Sequence, residues 1–501
     1  MLNRFLRHRL KTSERLLVTA PEKAPQPTTT PFPAGDVGDL FERGLQKMSF
    51  DDYEAALTLF EQVLTLQPDI PNVWEKLSVA LQKLGRYSEA AETNAKAIKL
   101  YQTGAKSLTV DVTKGWTVEQ WVTEGNRLFL NNHHKEAISA YDAALDLKPD
   151  LYNTLYNKGV SLYNIGRYKE AITAYDAALN LKPDLYEAFN NKGLSLAKLG
   201  HFEEAIAAYD AALIIKPDLH QTLNNKGLSL AKLNHHEEAI VTYDAALALR
   251  PDKPSALYNK GLSLAKLDHH REAILAYNAA LKINSSLQDA LYNKGLSLAK
   301  LGRHEEAITA YDASLTIKPG LYDELYSKSL SLCELGRYEE SLATYDAILS
   351  SEPNDYNTLH NKGLVLHTLG RYKEAVAAYD AIIHIHPDDY KAFCNKGNSL
   401  FKLGRFNQAI AIYDTALSIK PNLQDTLYSK GVSLSNLGRY QEAVKAYDSA
   451  LAIQPSDYKA LYRKGIALHK LGHYKEATAT CNAALAINPD FKNTLQPQKI
   501  H

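Results

Sequence analysis

The chain has 501 residues, with 57 lysines and arginines against 57 aspartates and glutamates, so it is formally neutral at pH 7. Nucleic-acid-binding proteins usually carry a clear basic excess, so this class is disfavoured. The three cysteines, Cys333, Cys394 and Cys481, are too few and too far apart for a disulfide framework, which favours a reducing compartment. No apolar run reaches the length of about 18 residues that a membrane-spanning helix needs.

The N-terminal segment differs from the rest of the chain. Residues 1–20 are basic, and Leu2, Phe5, Leu6 and Leu10 lie roughly on one helical face. Such an arm can lie in a membrane interface, dock on an acidic partner or act as an organellar transit peptide, and a frayed terminus without function is the alternative. Residues 21–36 contain five prolines and predict an extended, semi-stiff linker.

One pattern then dominates the chain, and residues 291–319 show it most clearly. Apolar residues at helical spacing predict a first short helix, which ends at Gly302, where a positive φ is needed. A second apolar stripe around Tyr311 predicts a second helix, which Pro319 ends. The aspartate after the closing proline in other copies, such as Asp218, is expected to cap the next helix. Neither helix would be stable alone, because each leaves its apolar stripe in water.

The pattern returns every 34 residues. The second-helix tyrosine recurs from Tyr141 to Tyr447, and the first-helix glycine recurs from Gly125 to Gly465, with Ser329 in the one gap. The turn between the helices holds a glycine, or otherwise Asn132, Asn234 or Asp268. These are the residue types that best tolerate a positive φ.

This period and order of residues resemble the tetratricopeptide repeat family. The resemblance implies an all-α, right-handed superhelical solenoid of about thirteen helix-turn-helix repeats. We expect degenerate repeats 1 and 2 over residues 37–104, an insertion over 105–117, repeats 3–13 over 118–491, and a capping tail over 492–501.

Three rows of residues share a face of the first helices, turned away from the apolar stripe. In this family the first helices line a concave groove where ligands bind, so these rows are the candidate site. The asparagine row is Asn157, Asn191, Asn225, Asn259, Asn293, Asn361 and Asn395. The leucine row is Leu194, Leu228, Leu262, Leu296, Leu330 and Leu364. The lysine row is Lys198, Lys232, Lys266, Lys300, Lys402 and Lys470.

An asparagine side chain both donates and accepts hydrogen bonds, so a row of asparagines could hold an extended peptide by its backbone. The row is similar to the asparagine ladder in the repeat arm of O-linked N-acetylglucosamine transferases. That similarity covers the arm only, so glycosyl transfer is not implied. The alternative is that these asparagines bond within their own helices or to water.

Two further patterns are expected to be structural. The last three repeats match part of the carboxylate clamp of chaperone-adaptor repeats at Asn398, Lys459 and Arg463, but Cys394 and Ser429 replace two of its five contacts, so we predict no working clamp. The lysines before the first-helix glycines and the aspartates after the second-helix tyrosines are expected to be solvated rows that bridge adjacent repeats.

Catalytic and metal chemistry are not indicated. The histidine pairs His133–His134, His235–His236 and His269–His270 have no carboxylate or cysteine that would complete a metal set. The residues that repeat form no nucleophile–base pair or phosphate loop. We therefore predict no enzyme activity, no metal and no cofactor.

The sequence predicts a cytoplasmic, non-enzymatic scaffold that binds extended peptide segments of other proteins, and no nucleic acid. Two alternatives stay open. One is an adaptor docked peripherally on a membrane by the basic N-terminal arm. The other is the separate repeat arm of a multi-subunit enzyme whose catalytic residues lie on another chain.

Overall fold

The computed structural model describes residues 37–107 and 116–489. The predicted basic arm, the proline-rich linker, most of the insertion and the C-terminal tail lie outside the described residues. The described part forms two compact units, one ending at Asp252 and the other beginning at Lys253.

The first unit consists of twelve helices in the described ranges. They are α1 (Val37–Ser49), α2 (Tyr53–Leu66), α3 (Pro71–Lys83), α4 (Tyr87–Gln102), α5 (Val118–Leu130), α6 (His134–Leu147), α7 (Tyr152–Asn164), α8 (Tyr168–Leu181), α9 (Tyr186–Lys198), α10 (Phe202–Ile215), α11 (His220–Lys232) and α12 (His236–Leu249).

The second unit consists of fourteen helices up to residue 489. They are α13 (Pro254–Lys266), α14 (His270–Ile283), α15 (Gln288–Lys300), α16 (His304–Ile317), α17 (Tyr322–Glu334), α18 (Tyr338–Ser351), α19 (Tyr356–Thr368), α20 (Tyr372–Ile385), α21 (Tyr390–Lys402), α22 (Phe406–Ile419), α23 (Gln424–Asn436), α24 (Tyr440–Ile453), α25 (Tyr458–Lys470) and α26 (Tyr474–Ile487).

The helices pack in consecutive pairs. Each odd-numbered helix packs on the even-numbered helix that follows it. Even-numbered helices also pack on the next odd-numbered one, at α2–α3, from α6 to α11, and from α14 to α25. The thirteen pairs within the described residues confirm an all-α solenoid of 34-residue repeats.

The turns inside the pairs have the predicted backbone geometry. Gly200 adopts φ +83°, and Asn234 and Asp268 adopt φ 63° and 60°. The prediction that the aspartates after the closing prolines cap the next helix is wrong for each of them within the described residues. The residue that caps α11 is Leu219, without a side-chain cap bond, so Asp218 lies one residue too early.

The core of each repeat depends on a close contact between the first-helix glycine and the second-helix tyrosine. A Cβ atom on Gly193 would lie 2.5 Å from Cε1 of Tyr209, and the same contact recurs from Gly125–Tyr141 to Gly431–Tyr447. The tyrosine rings are almost fully buried. Burial raises the pKa of Tyr447 to about 12, so this phenol is neutral at physiological pH.

Ion pairs link each repeat to the next. Lys192 Nζ lies 2.6 Å from Asp176 Oδ1, and Lys362 Nζ lies 2.5 Å from Asp346 Oδ1. These pairs join a first helix to the second helix of the preceding repeat, which is the bridging expected from the sequence. Both partners are partly exposed, so each pair contributes at most about 1 kcal/mol.

The glycine contact predicts that a Gly-to-Ala change lowers the free energy of unfolding, which is the opposite of its usual effect in a helix. In an open helix, Gly193→Ala would stabilise by about 1 kcal/mol through helix propensity. Here the added methyl group overlaps the Tyr209 ring, so we expect destabilisation of about 1–3 kcal/mol. Urea unfolding followed by circular dichroism measures the change, and a stabilised variant would show that the ring moves aside freely.

Candidate functional site

The candidate site is the A-helix face, which we define as the three rows of the odd-numbered helices that include Asn191, Leu194 and Lys198. It is described separately in each unit. The lysines at its edge are exposed: Lys198 and Lys232 in the first unit, and Lys266 and Lys300 in the second. Each ends its helix, where the helix dipole favours a cation.

The leucine row is less accessible than the sequence suggests. Leu228 in the first unit and Leu262 in the second are buried, with 5% and 7% of their surface exposed. Leu296 is half-buried, and Leu364 is 37% exposed. Only the leucines beyond Leu262 therefore offer apolar surface to a partner.

The asparagine row lies deeper still. Asn157, Asn191 and Asn225 in the first unit and Asn259 in the second are buried. Asn293, Asn361 and Asn395 are half-buried. Buried amides need hydrogen-bond partners, and the structure supplies several from within the protein.

The partner is usually a side chain 35 residues earlier, in the preceding repeat. Asn191 Nδ2 donates to the hydroxyl of Tyr156 at 3.0 Å, and Asn361 Nδ2 donates to that of Tyr326 at 2.8 Å. Three more contacts follow the same direction. They are Asn293 Nδ2 to Tyr258 Oη at 3.3 Å, Asn395 Nδ2 with His360 Nε2 at 3.4 Å, and Asn157 Nδ2 to Asn126 Oδ1 at 3.0 Å.

These contacts give the asparagines a structural role that sequence reasoning missed. Each bond fixes how one repeat stacks on the next. The signal was present in the sequence, because an asparagine stands 35 residues after Tyr156, Tyr258 and Tyr326. Direct contact of the asparagine row with a bound peptide stays a prediction.

Two of the five positions of the partial clamp, Asn398 and Cys394, have side-chain partners within the fold. Asn398 Oδ1 accepts a hydrogen bond from Tyr413 Oη at 2.8 Å. Cys394 Sγ lies 3.0 Å from Thr426 Oγ1 of the next repeat. Lys459 and Arg463 are exposed.

A polar pocket of ≈190 Å³ opens on the first unit between α9 and α11. It is lined by Tyr186, Asn190, Lys216, Asp218, Leu219, His220, Gln221 and Thr222. Lys216 Nζ lies 4.8 Å from the centroid of the Tyr186 ring and 3.4 Å from its hydroxyl. The sequence analysis singled out none of these eight residues for binding.

A buried carboxylate in the second unit was likewise missed. Glu324 on α17 is 4% exposed and stands where most repeats carry alanine or threonine. Gln288 Nε2 donates to its Oε1 atom, and Ser314 Oγ donates to the same atom at 3.3 Å. Desolvation raises the pKa of Glu324 above its ordinary value of 4.5.

Metal and thiol chemistry find no support in the described part of the chain. Across residues 37–107 and 116–489, no group of three or more His, Cys, Asp or Glu side chains is placed to hold a metal ion. Burial raises the pKa of the Cys333 and Cys394 thiols, which makes them less nucleophilic. None of the described helices is long and apolar enough to cross a bilayer.

The structure is a stack of helix pairs in which the odd-numbered helices carry the candidate site. This arrangement defines a helical-repeat protein, a class that serves as interaction scaffolds. Tetratricopeptide repeat profiles match residues 41–105, 122–186, 156–220, 266–322, 326–390 and 428–490, with two further matches at 227–268 and 390–423. The chain therefore belongs to the tetratricopeptide repeat family.

Several solved structures show partial similarity to the chain. YrrB, described as a TPR protein with an unusual peptide-binding site, is 23% identical, with 38% of this chain and 97% of that chain covered, at a TM-score of 0.34. MamA is 28% identical, with 32% of this chain and 94% of that chain covered, at a TM-score of 0.32. The C-terminal part of a TPR protein from Cytophaga hutchinsonii is 18% identical, with 47% of this chain and 96% of that chain covered, at a TM-score of 0.42. We infer no function from similarities at these TM-scores.

A search of curated proteins finds no match to the chain.

The inter-repeat hydrogen bonds predict a stability effect. Tyr156→Phe removes the acceptor of Asn191 Nδ2 in a buried site, so we expect a loss of about 1–2 kcal/mol in urea unfolding. The matched control is Tyr428→Phe, because Arg463 stands in the asparagine position of the following repeat. Equal effects of the two substitutions would contradict a structural role for the asparagine.

The buried carboxylate predicts a pH dependence. Because folding raises the pKa of Glu324, its neutral form stabilises the protein fully below pH 4.5, and this stabilisation is lost as the pH rises through the folded-state pKa. Glu324→Gln should therefore gain stability over the wild type as the pH rises toward neutrality. Unfolding midpoints between pH 4 and 8 measure this, with the exposed Glu334→Gln as control. A constant difference across that range would contradict the prediction.

Proposed function

We propose that this protein is a non-enzymatic scaffold whose A-helix face binds extended peptide segments of partner proteins. Membership of the tetratricopeptide repeat family supports a role in protein–protein interaction. The finer proposal depends on one observation: exposed lysines recur at the same helix-terminal position of successive repeats. Within the first unit, a peptide lying along the repeats would meet Lys198 and Lys232, and within the second unit it would meet Lys266 and Lys300.

The charge pattern of the protein supports this surface. In most repeats, a lysine in the middle of the first helix forms an ion pair with an aspartate. Lys226, for example, lies 2.5 Å from Asp210. The structure gives Lys198, Lys232 and Lys300 on the A-helix face no such carboxylate partner among the described residues. Exposed cations without a paired acid favour contact with an acidic or carbonyl-rich segment.

The asparagines take a supporting role in this proposal. Asn191, bonded to Tyr156, and Asn293, bonded to Tyr258, hold successive repeats in register. Regular stacking keeps the lysine row evenly spaced for a bound chain. The half-buried Leu296 adds apolar surface beside that row. A reducing, cytoplasmic compartment, as expected from the cysteine count, is part of the same proposal.

The test is selection from a displayed library of random peptides. Lys198, Lys232, Lys266 and Lys300 are changed together to Gln, which removes four charges without touching the core. We expect the wild type to enrich peptides and the variant to lose most of that enrichment, because the cations that contact the segment are gone.

The matched control changes the same number of exposed lysines on even-numbered helices. Lys135, Lys169, Lys373 and Lys475 are exposed and lie in the first turns of their helices. This control should retain the enrichment, with circular dichroism showing that all three proteins are folded. Equal losses in both variants would point to net charge, and retention in both would move binding away from the A-helix face.

A further inference from the structure

The pocket between α9 and α11 lies where Asn190 of one repeat meets Thr222 of the next. At the position of Asn190, six other repeats carry a tyrosine: Tyr156, Tyr258, Tyr292, Tyr326, Tyr428 and Tyr462. Asparagine is smaller, so the space of a phenol ring stays open beside α9. The position of Thr222 carries alanine in repeats such as those with Ala256 and Ala290, and threonine in three others, at Thr154, Thr358 and Thr426. Here the threonine adds a hydroxyl to the pocket.

The floor of the pocket has a fixed hydrogen-bond direction. Thr222 Oγ1 donates to Asn190 Oδ1 at 2.9 Å, and Asn190 Nδ2 donates to Asn191 Oδ1 at 3.1 Å. Asn191 Nδ2 in turn donates to Tyr156 Oη. These bonds orient the Asn190 amide and use one of its two N–H groups. Its other N–H and the oxygen lone pairs of Thr222 remain for a ligand.

The wall of the pocket carries one charge of each sign. Lys216 lies over the Tyr186 ring, as Lys182 lies over Tyr152 at 4.9 Å in the preceding repeat. Asp218 lies two residues further along the same loop and also lines the pocket. A lysine and an aspartate together favour a neutral polar ligand over a carboxylate or an ammonium group, since either ion would meet a like charge.

The size of the pocket limits the ligand. Sites for free small molecules usually occupy about 300–1,000 Å³. At ≈190 Å³ this pocket holds one side chain of a longer chain. A carboxamide matches the floor, because its oxygen can accept from Asn190 and its N–H groups can donate to Thr222.

We infer that this pocket binds the carboxamide side chain of an asparagine or glutamine in the peptide segment. The inference rests on the proposed function, and it adds one sequence-specific contact at the N-terminal ends of α9 and α11. A site built to hydrogen-bond a polar group discriminates strongly against a side chain that lacks it, because the pocket's own polar groups are then left unpaired.

The experiment uses the chain's own repeats as a guide. The double variant Asn190→Tyr with Thr222→Ala restores the combination found at Tyr258 and Ala290, which packs within the second unit. The new phenol fills the pocket and can accept from Asn225, as Tyr258 accepts from Asn293. The variant should therefore fold, and circular dichroism and urea unfolding verify this.

Wild type and double variant are used to select from the same displayed peptide library. We expect the wild type to enrich Asn or Gln at one fixed peptide position. The double variant should still enrich peptides but show no preference at that position. If both proteins select peptides with the same preference, the pocket does not bind the carboxamide, although the protein still binds peptides. Enrichment of Asp or Glu at that position would show a preference for a carboxylate and would contradict the proposed carboxamide ligand. No enrichment by the wild type would contradict the proposed function itself.

A selected peptide then gives a quantitative test by fluorescence anisotropy. Replacing its Asn or Gln by Ala, and by the matching Asp or Glu, should each weaken binding to the full-length wild-type chain about tenfold. The same replacements should change binding to the double variant less than about twofold. Equal losses for the two proteins would show that the carboxamide binds elsewhere.

Discussion

The close contact between a first-helix glycine and a second-helix tyrosine is the constraint on which this structure depends. Because glycine has no Cβ, the buried ring of Tyr209 can lie against the backbone of α9 at Gly193. That contact sets the distance between the two helices of the pair. The distance in turn determines which side chains of the odd-numbered helices are buried and which remain for binding. Ser329 shows that the position tolerates one small substitute, whose hydroxyl bonds to the Tyr326 carbonyl at 2.7 Å.

The fold could be predicted from the sequence because it repeats local information. Gly302 needs a positive φ, Pro319 ends a helix, and Tyr311 fills the space beside Gly295, all within one repeat. The turn residues confirm this, since Asn132 and Asp268 adopt the positive φ expected of them. The misplaced caps have an equally local reason. The helices begin one residue later than the aspartates suggest, so a first helix gains a side-chain cap only where a capping residue stands one position further on, as Asp355 does before α19 and Asp389 before α21.

The site could be predicted only in part, because burial depends on neighbouring repeats. Helical spacing correctly placed Lys198 at an exposed edge. It could not show that Asn191 is covered by its neighbours or that its amide bonds to Tyr156, which lies 35 residues away. The pocket at Asn190 was missed for a related reason. A residue smaller than its counterparts leaves a space that only the packed structure reveals, and the row pattern drew attention to the residues that stay the same.

The inter-repeat bonds have a consequence for how such an array grows. A repeat with a tyrosine at one edge and an asparagine at the other is complementary to a copy of itself, so a duplicated repeat brings both halves of its new junction. The array can therefore lengthen by duplication without inventing an interface. The group formed by Gln288, Ser314 and Glu324 breaks this rule, because no other repeat from residue 118 onward carries a carboxylate at the position of Glu324. Glu324 needs the donors Gln288 and Ser314 of the preceding repeat. This junction therefore requires one particular neighbour, unlike the junctions formed by tyrosine and asparagine.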